Sequence, residues 1–260
     1  MADEITDEID DETAAGAVPD VPSVDELPER VLVVTAHPDD VDFGASGTLA
    51  AWVRAGVRVT YAIVTNGDAG GFDPDVPREQ IPSIRQAEQT AAAKAIGVDD
   101  VRFLGYTDGE LVVSLDLRRD ISRVIRDVRP QRILCQSPER NWDRLPASHP
   151  DHMAAAEATI QAVYPDARNP FAHRTLLLDE GLDAWTVHEI WVMGGPRPNR
   201  WVDITNTFDD KIAALQAHAS QVGHRENLRE FMREWAARLG EAGGLPAGRL
   251  AEVFMVVSVP

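Results

Sequence analysis

The 260-residue sequence predicts a Rossmann-like three-layer α/β sandwich, with a mostly parallel central sheet and an active site at the carboxyl edge of its strands. Three observations predict it. Strand-like and helix-like patterns alternate four times along the first two thirds of the chain, the signature of strands joined by crossover helices. The first strand-like run, residues 31–36, is apolar and β-branched, with Thr35 its one hydroxyl, as expected of a strand covered on both faces. That run ends abruptly in His37, Pro38, Asp39 and Asp40, which sets polar chemistry at the edge where open parallel sheets bind ligands.

The elements follow in order. Pro38 donates no backbone N–H and pushes His37 toward an extended conformation, so the first strand stops there. Residues 44–56 carry Leu49, Ala50, Trp52 and Val53 on a helical period, with Gly56 as a stop. Residues 57–65 are rich in β-branched side chains and read as the second strand, followed by a glycine-rich loop over 66–71. A helix over 82–96 is capped by Gly97, and 101–104 form a short third strand. Residues 115–128 keep Leu117, Ile121, Val124, Ile125 and Val128 on one face. Pro130 ends that helix, and 132–136 are the fourth strand. Residues 137–147 make a loop with two prolines and Trp142, long enough to suggest a functional loop. A helix runs from near His149 to about Val163, and 164–182 fit no element. Strands over 187–193, 201–204 and 253–257 and helices over 208–221 and 226–239 complete the chain.

Charge divides the sequence unevenly. Of the net −18, residues 1–30 hold −10, from eleven acidic residues and Arg30. Residues 1–28, acidic and without an aromatic side chain, read as a disordered tail, and 29–260 as a single catalytic domain. No basic face is available for nucleic acid. No run approaches the ~20 apolar residues that span a bilayer, so no membrane insertion is expected. The start lacks a secretory pattern, and the one cysteine, Cys135, excludes an internal disulfide. A cytoplasmic protein is expected, with a homo-oligomer allowed. Cys135 sits in an apolar run and reads as a core thiol.

A second polar cluster, Ser148-His149-Pro150-Asp151-His152, opens the helix after the fourth strand. Ser148 and Asp151 fit a capping box, and Pro150 suits a first turn. The topology points both clusters at one sheet edge. His37, Asp40 and His152 could then supply three metal ligands and leave a fourth position open, the pattern of a catalytic zinc site. Asp39 remains for proton transfer.

Ala36-His-Pro-Asp-Asp40 followed by Gly47-Thr-Leu49, together with His149-Pro-Asp-His152, resembles the paired signatures of the zinc-dependent N-deacetylases of the PIG-L/LmbE type. Residues 65–70, Arg85-x-x-Glu88, residues 103–105, Asp108-Gly109 and Lys211 to Gln221 extend the likeness to residues 30–221. The resemblance implies removal of an N-acetyl or similar acyl group from a small molecule or conjugate that contains an amino sugar. It implies one Zn2+ per chain on His37, Asp40 and His152, with another divalent ion such as Fe2+ also acceptable. It further implies Asp39 as general base, His149 as oxyanion stabiliser, best when protonated, and Asp151 as the partner that fixes an imidazole tautomer. Arg85 and Asp108 resemble residues that hold sugar hydroxyls. A surface pair with Glu88 and a turn are the plainer roles for those two. His218 fits a site rim or a core histidine equally. Asp42 stands where the family usually has Glu, and Ser46 where it usually has Gly. Neither is expected to touch the metal.

Two other classes compete. A nucleotide-binding oxidoreductase would suit the alternation, but no Gly-x-Gly-x-x-Gly follows the first strand. A non-catalytic metal-binding member of the fold should have lost part of the site, and here the positions are filled. An amidase acting on a non-sugar or thiol-conjugate amide is the nearer alternative.

Overall fold

The computed structural model describes residues 27–71, 73 and 75–260. The expected tail lies outside the described residues except for Leu27 and Pro28. Seven strands form one sheet: β1 (Arg30–Thr35), β2 (Arg58–Thr65), β3 (Asp100–Tyr106), β4 (Arg132–Gln136), β5 (Glu189–Met193), β6 (Arg200–Asp203) and β7 (Ala251–Ser258). Their order is β3-β2-β1-β4-β5-β7-β6. The first five run parallel, while β7 pairs antiparallel with both β5 and β6. The chain winds outward from β1 in both directions, so the switch point lies between β1 and β4. Ligands of open α/β sheets bind outside the carboxyl ends of such a strand pair.

Nine helices are described: α1 (Asp40–Gly44), α2 (Ser46–Arg54), α3 (Ile81–Ala95), α4 (Leu115–Val128), α5 (Pro150–Gln161), α6 (Arg174–Leu178), α7 (Phe208–Ala217), α8 (Ala219–Val222) and α9 (Leu228–Ala242). Side chains of β1 alternate between the two faces, as a period of two requires. Val31 and Val33 join the layer with Leu49, Trp52 and Ile63. Leu32 and Val34 join the layer with Leu117, Ile121 and Ile125. Both layers are buried, which explains the apolar run Val31–Val34. Among the described residues no helix is long and apolar enough to cross a membrane.

Several elements depart from expectation. The helix expected over 44–56 forms as α2, and a short helix that was not expected, α1, precedes it, separated by Ala45 (φ −146°, ψ −3°). Close packing dictates the small residues there: a Cβ on Gly44 would sit 2.6 Å from Met193 Sδ, and one on Gly47 3.0 Å from Ile204. The helix expected over 208–221 breaks at His218 (φ −85°, ψ 58°), whose ring turns into the core. Residues 164–182, unassigned from sequence, contain an irregular turn over Ala162–Ala167 and the short α6. Cys135 is buried, and burial pushes its thiol up to about 12, so it is no nucleophile.

Candidate active site

β1 delivers the first cluster to the switch point. Gln136, at the end of β4, accepts the Ala36 N–H at 2.9 Å, which ties the exit of β1 to the exit of β4. Beyond it the chain turns sharply. Asp40 Oδ2 accepts the His37 N–H at 2.7 Å, and Asp39 takes φ 96°, ψ −27°. A non-glycine residue in that region costs on the order of 1–3 kcal/mol and persists only where its surroundings impose it. Here Gln89 accepts the Asp39 N–H at 2.8 Å, and the Asp39 carbonyl accepts from Asp42 and Phe43 N–H at 2.9 and 3.1 Å. The left-handed residue lets two adjacent aspartates take different partners.

Asp40 turns to the histidines. Its Oδ2 lies 3.3 Å from His37 Nδ1, and its Oδ1 lies 3.1 Å from His152 Nε2. The two ring nitrogens are 3.2 Å apart. The two carboxylate oxygens of Asp40 divide its contacts between the two rings, and these separations are close to the ~3.3–3.4 Å edges of a tetrahedral ion with bonds of about 2.0–2.1 Å. The surrounding charge fits as well. Burial alone would lower His37, but hydrogen bonds to Asp108, Asp151 and Asp40 outweigh it and push its pKa up to about 12. That imidazole sits in an anionic pocket that a divalent cation would neutralise. Its outer nitrogen, Nε2, lies 3.1 Å from both Asp151 Oδ2 and Asp108 Oδ1, the arrangement that fixes a ligand histidine's tautomer. The groups whose donor atoms all lie within 4.8 Å of one another among the described residues are His37 with His149 and His152, and His37 with Asp108 and Asp151. Their donors have other work. His149 Nδ1 accepts the Asp151 N–H at 3.2 Å, and Asp151 accepts from Gly109 and Leu111 N–H at 2.7 and 3.2 Å.

Asp39 takes the other side, with Arg85 Nη2 3.4 Å from its Oδ2. Burial and then repulsion from Asp40 push the Asp39 carboxyl up to about 7, while Arg85 opposes the rise. Asp40 goes the opposite way. Burial would raise it, but the His152 charge and hydrogen bond hold it well below the usual carboxylate range. Two neighbouring carboxylates are thus pushed apart in acidity.

Two expectations change at the second cluster. The capping box does not form: His149 is the residue that caps α5, while Ser148 Oγ accepts from Asn141 N–H at 2.7 Å within the long loop. The expectation of a protonated His149 changes with it. Burial, together with the His37 and His152 charges, lowers its pKa. A ring whose Nδ1 accepts from the backbone carries its proton on Nε2, so neutral His149 is already a hydrogen-bond donor.

Arg85 does not pair with Glu88, which instead holds Ser220 by two bonds of 2.7 Å. The guanidinium is buried, donating to the carbonyls of Pro38 at 2.6 Å and Gly67 at 3.0 Å. Asp108 Oδ2 stands 3.7 Å from it. Both residues therefore brace the cluster from within. His218 is fully buried, with Nε2 2.8 Å from Asp42 Oδ2, and Gln89 Nε2 donates to the same oxygen at 2.9 Å. The sequence singled out neither Gln89 nor Glu252, which anchors Lys211 beneath α1 at 2.7 Å. No local pattern could find them, because their partners lie far away in the chain.

A mostly parallel sheet with a His–Asp–His cluster able to bind a metal ion, and a second carboxylate beside it at the switch point, defines the class of α/β protein. The model of the PIG-L family, GlcNAc-PI de-N-acetylase, matches residues 32–163, and the chain belongs to that family. A diacetylchitobiose deacetylase from Thermococcus kodakarensis is 31% identical over 193 residues, 74% of this chain and 70% of its own. A probable N-acetyl-alpha-D-glucosaminyl L-malate deacetylase 2 from Bacillus cereus is 36% identical over 202 residues, covering 75% and 84%. The structure of an N,N'-diacetylchitobiose deacetylase from Pyrococcus horikoshii superimposes with a TM-score of 0.80 at 30% identity, over 88% of this chain and 84% of that one.

Proposed function

We propose that this protein is a zinc-dependent hydrolase that removes the N-acetyl group from an amino-sugar conjugate. The observation that carries the proposal is the triangle of His37, Asp40 and His152 beside the separate, acid-weakened carboxylate of Asp39. Membership of a de-N-acetylase family supports the reaction class, and the relatives' amino-sugar substrates support the substrate class.

His37, Asp40 and His152 would hold the ion, which when bound makes water acidic enough to ionise near neutral pH and polarises an amide carbonyl. Asp39 takes the proton from the attacking water. A carboxylate whose pKa is raised toward neutrality is a stronger base than a free one and still ionises at the working pH. His149 turns its Nε2–H to the oxygen that gains charge as the carbonyl becomes tetrahedral. Asp151 and Asp108 keep His37 in one orientation, and Arg85 holds Asp39 ionised. The proton on Asp39 then passes to the leaving nitrogen. The C–N bond breaks, hydroxide has joined the acyl carbon, and the amine leaves neutral.

Acetate release tests the proposal. The zinc-loaded protein should release acetate from at least one of N-acetylglucosamine, diacetylchitobiose and an N-acetylglucosaminyl malate. No acetate from this panel would defeat the amino-sugar assignment.

A further inference from the structure

The chemistry of the site divides the space around it. The attacking water and the leaving nitrogen both exchange a proton with Asp39, so both lie on its side. Of the two other substituents of the reacting carbon, the oxygen faces His149 in the proposed mechanism, which leaves the acyl chain the side away from Asp39. A cavity of about 200 Å³ opens in that direction. Asp40 and His152 line it, but Asp39, Arg85 and Asp108 do not. Its other walls are largely apolar, with Phe43, Pro146, Ala147, Met193 and Trp235. A second cavity, of about 210 Å³, shares Phe43, Gly44, Arg144, Gly194 and Trp235 with the first and extends it to Met232 and Leu239 on α9. The two adjoin along those shared residues, with Asp40 and His152 of the triad at the inner end of this groove and α9 at the outer. The methyl of an acetyl group would leave most of it empty.

The walls are built for an apolar occupant. Arg144, from the long loop 137–147, lies over the Trp235 ring at 4.3 Å from its centroid and so roofs the groove with a cation–π contact. Trp235 and Leu239, four residues apart on α9, face it from one side. The charges at its far end cancel, since Lys211 and Glu252 are paired at 2.7 Å.

We infer that this groove is an acyl-chain subsite, so that the protein also removes N-acyl groups longer than acetyl from amino sugars. The inference rests on the proposed amide hydrolysis and names its acyl specificity. Water's hydroxyl goes to the acyl carbon and its proton to the nitrogen whatever the chain length, so the same residues serve a longer chain.

The experiment is a series of N-acyl glucosamines, acetyl, butanoyl, hexanoyl and octanoyl, assayed for free amine with the zinc-loaded protein. Each methylene buried in the groove should raise kcat/KM by about fourfold until the groove is full. Trp235→Ala removes a wall and should flatten that rise. Leu239→Trp, at the far end, should move the cut-off to a shorter chain. A fall of tenfold or more from acetyl to butanoyl overturns the inference, as does an unchanged chain-length profile in both variants. If no member of the series is hydrolysed, the amide-hydrolase reading fails, and calorimetric titration of the same series into wild-type protein decides the groove. Affinity rising with chain length supports it, and affinity independent of chain length overturns it.

Discussion

Asp39→Asn is expected to retain the metal and lose about 10²–10⁴-fold in kcat, the usual worth of general-base assistance. The two aspartates stand side by side, yet Asp40 faces His37 and His152 while Asp39 faces Arg85. Asp40→Asn replaces an anionic corner of the triangle with a weak neutral donor and should lower metal affinity together with rate. The pH profile adds a signed test. Asp39 must be ionised to act, so kcat/KM rises with pH through its pKa. Burial and Asp40 raise that pKa above the ordinary 3.8, so the acid limb lies above the usual carboxylate range. Arg85 pulls it down, and Arg85→Gln should therefore move the limb to higher pH. Loss of metal in Asp39→Asn with retention in Asp40→Asn would exchange the two roles. A limb that moves to lower pH in Arg85→Gln would remove Arg85 from the account.

Lys211→Met is expected to destabilise the fold by about 3–5 kcal/mol, the cost of leaving one partner of a buried ion pair uncompensated. Lys211 and Glu252 are 1% and 3% exposed, and their contact is 2.7 Å. The ammonium also donates to the Asp42 and Phe43 carbonyls, at 2.8 Å each. Glu252 in turn accepts from Gly47 N–H at 3.0 Å and from Thr48 N–H and Oγ1–H at 2.7 and 2.6 Å, at the start of α2. The pair therefore joins α1, α2, α7 and β7 beneath Asp40. Urea unfolding followed by circular dichroism measures the loss. Lys211→Met combined with Glu252→Gln should lose less than the two single changes added together, because the orphaned charge is gone. A loss below about 1 kcal/mol in Lys211→Met would show that the pair is not what holds α1.

What was legible in the sequence was local. The apolar run of β1 and its end at His37-Pro-Asp-Asp40 needed only neighbouring residues, and so did the one-faced pattern of α4. Parallel pairing followed from alternation, which sets His37 and His152 at the same sheet edge, while the adjacency of β1 and β4 came from the structure. The family likeness rested on the same short signatures. What stayed hidden depends on distant partners or on backbone angles. Nothing in the composition around Asp39 announces a left-handed residue, and Gln89, which holds it, is 50 positions away. His218 breaks the last long pattern because Asp42 lies 176 positions away in the chain and beside it in space. The loop over 137–147 stood out by its length, its two prolines and Trp142, and its Arg144 gains meaning when Trp235 of α9 is seen beneath it.

The central claim is that His37, Asp40 and His152 together hold one catalytic ion. Metal analysis of purified protein, with X-ray absorption on the same sample, tests it most directly. The account predicts about one zinc per chain, with nitrogen and oxygen ligands at about 2.0–2.2 Å. It predicts that His37→Ala combined with His152→Ala loses the metal and acetate release together. Tight, stoichiometric zinc in that double variant, or full acetate release by wild-type protein stripped of metal, would contradict it.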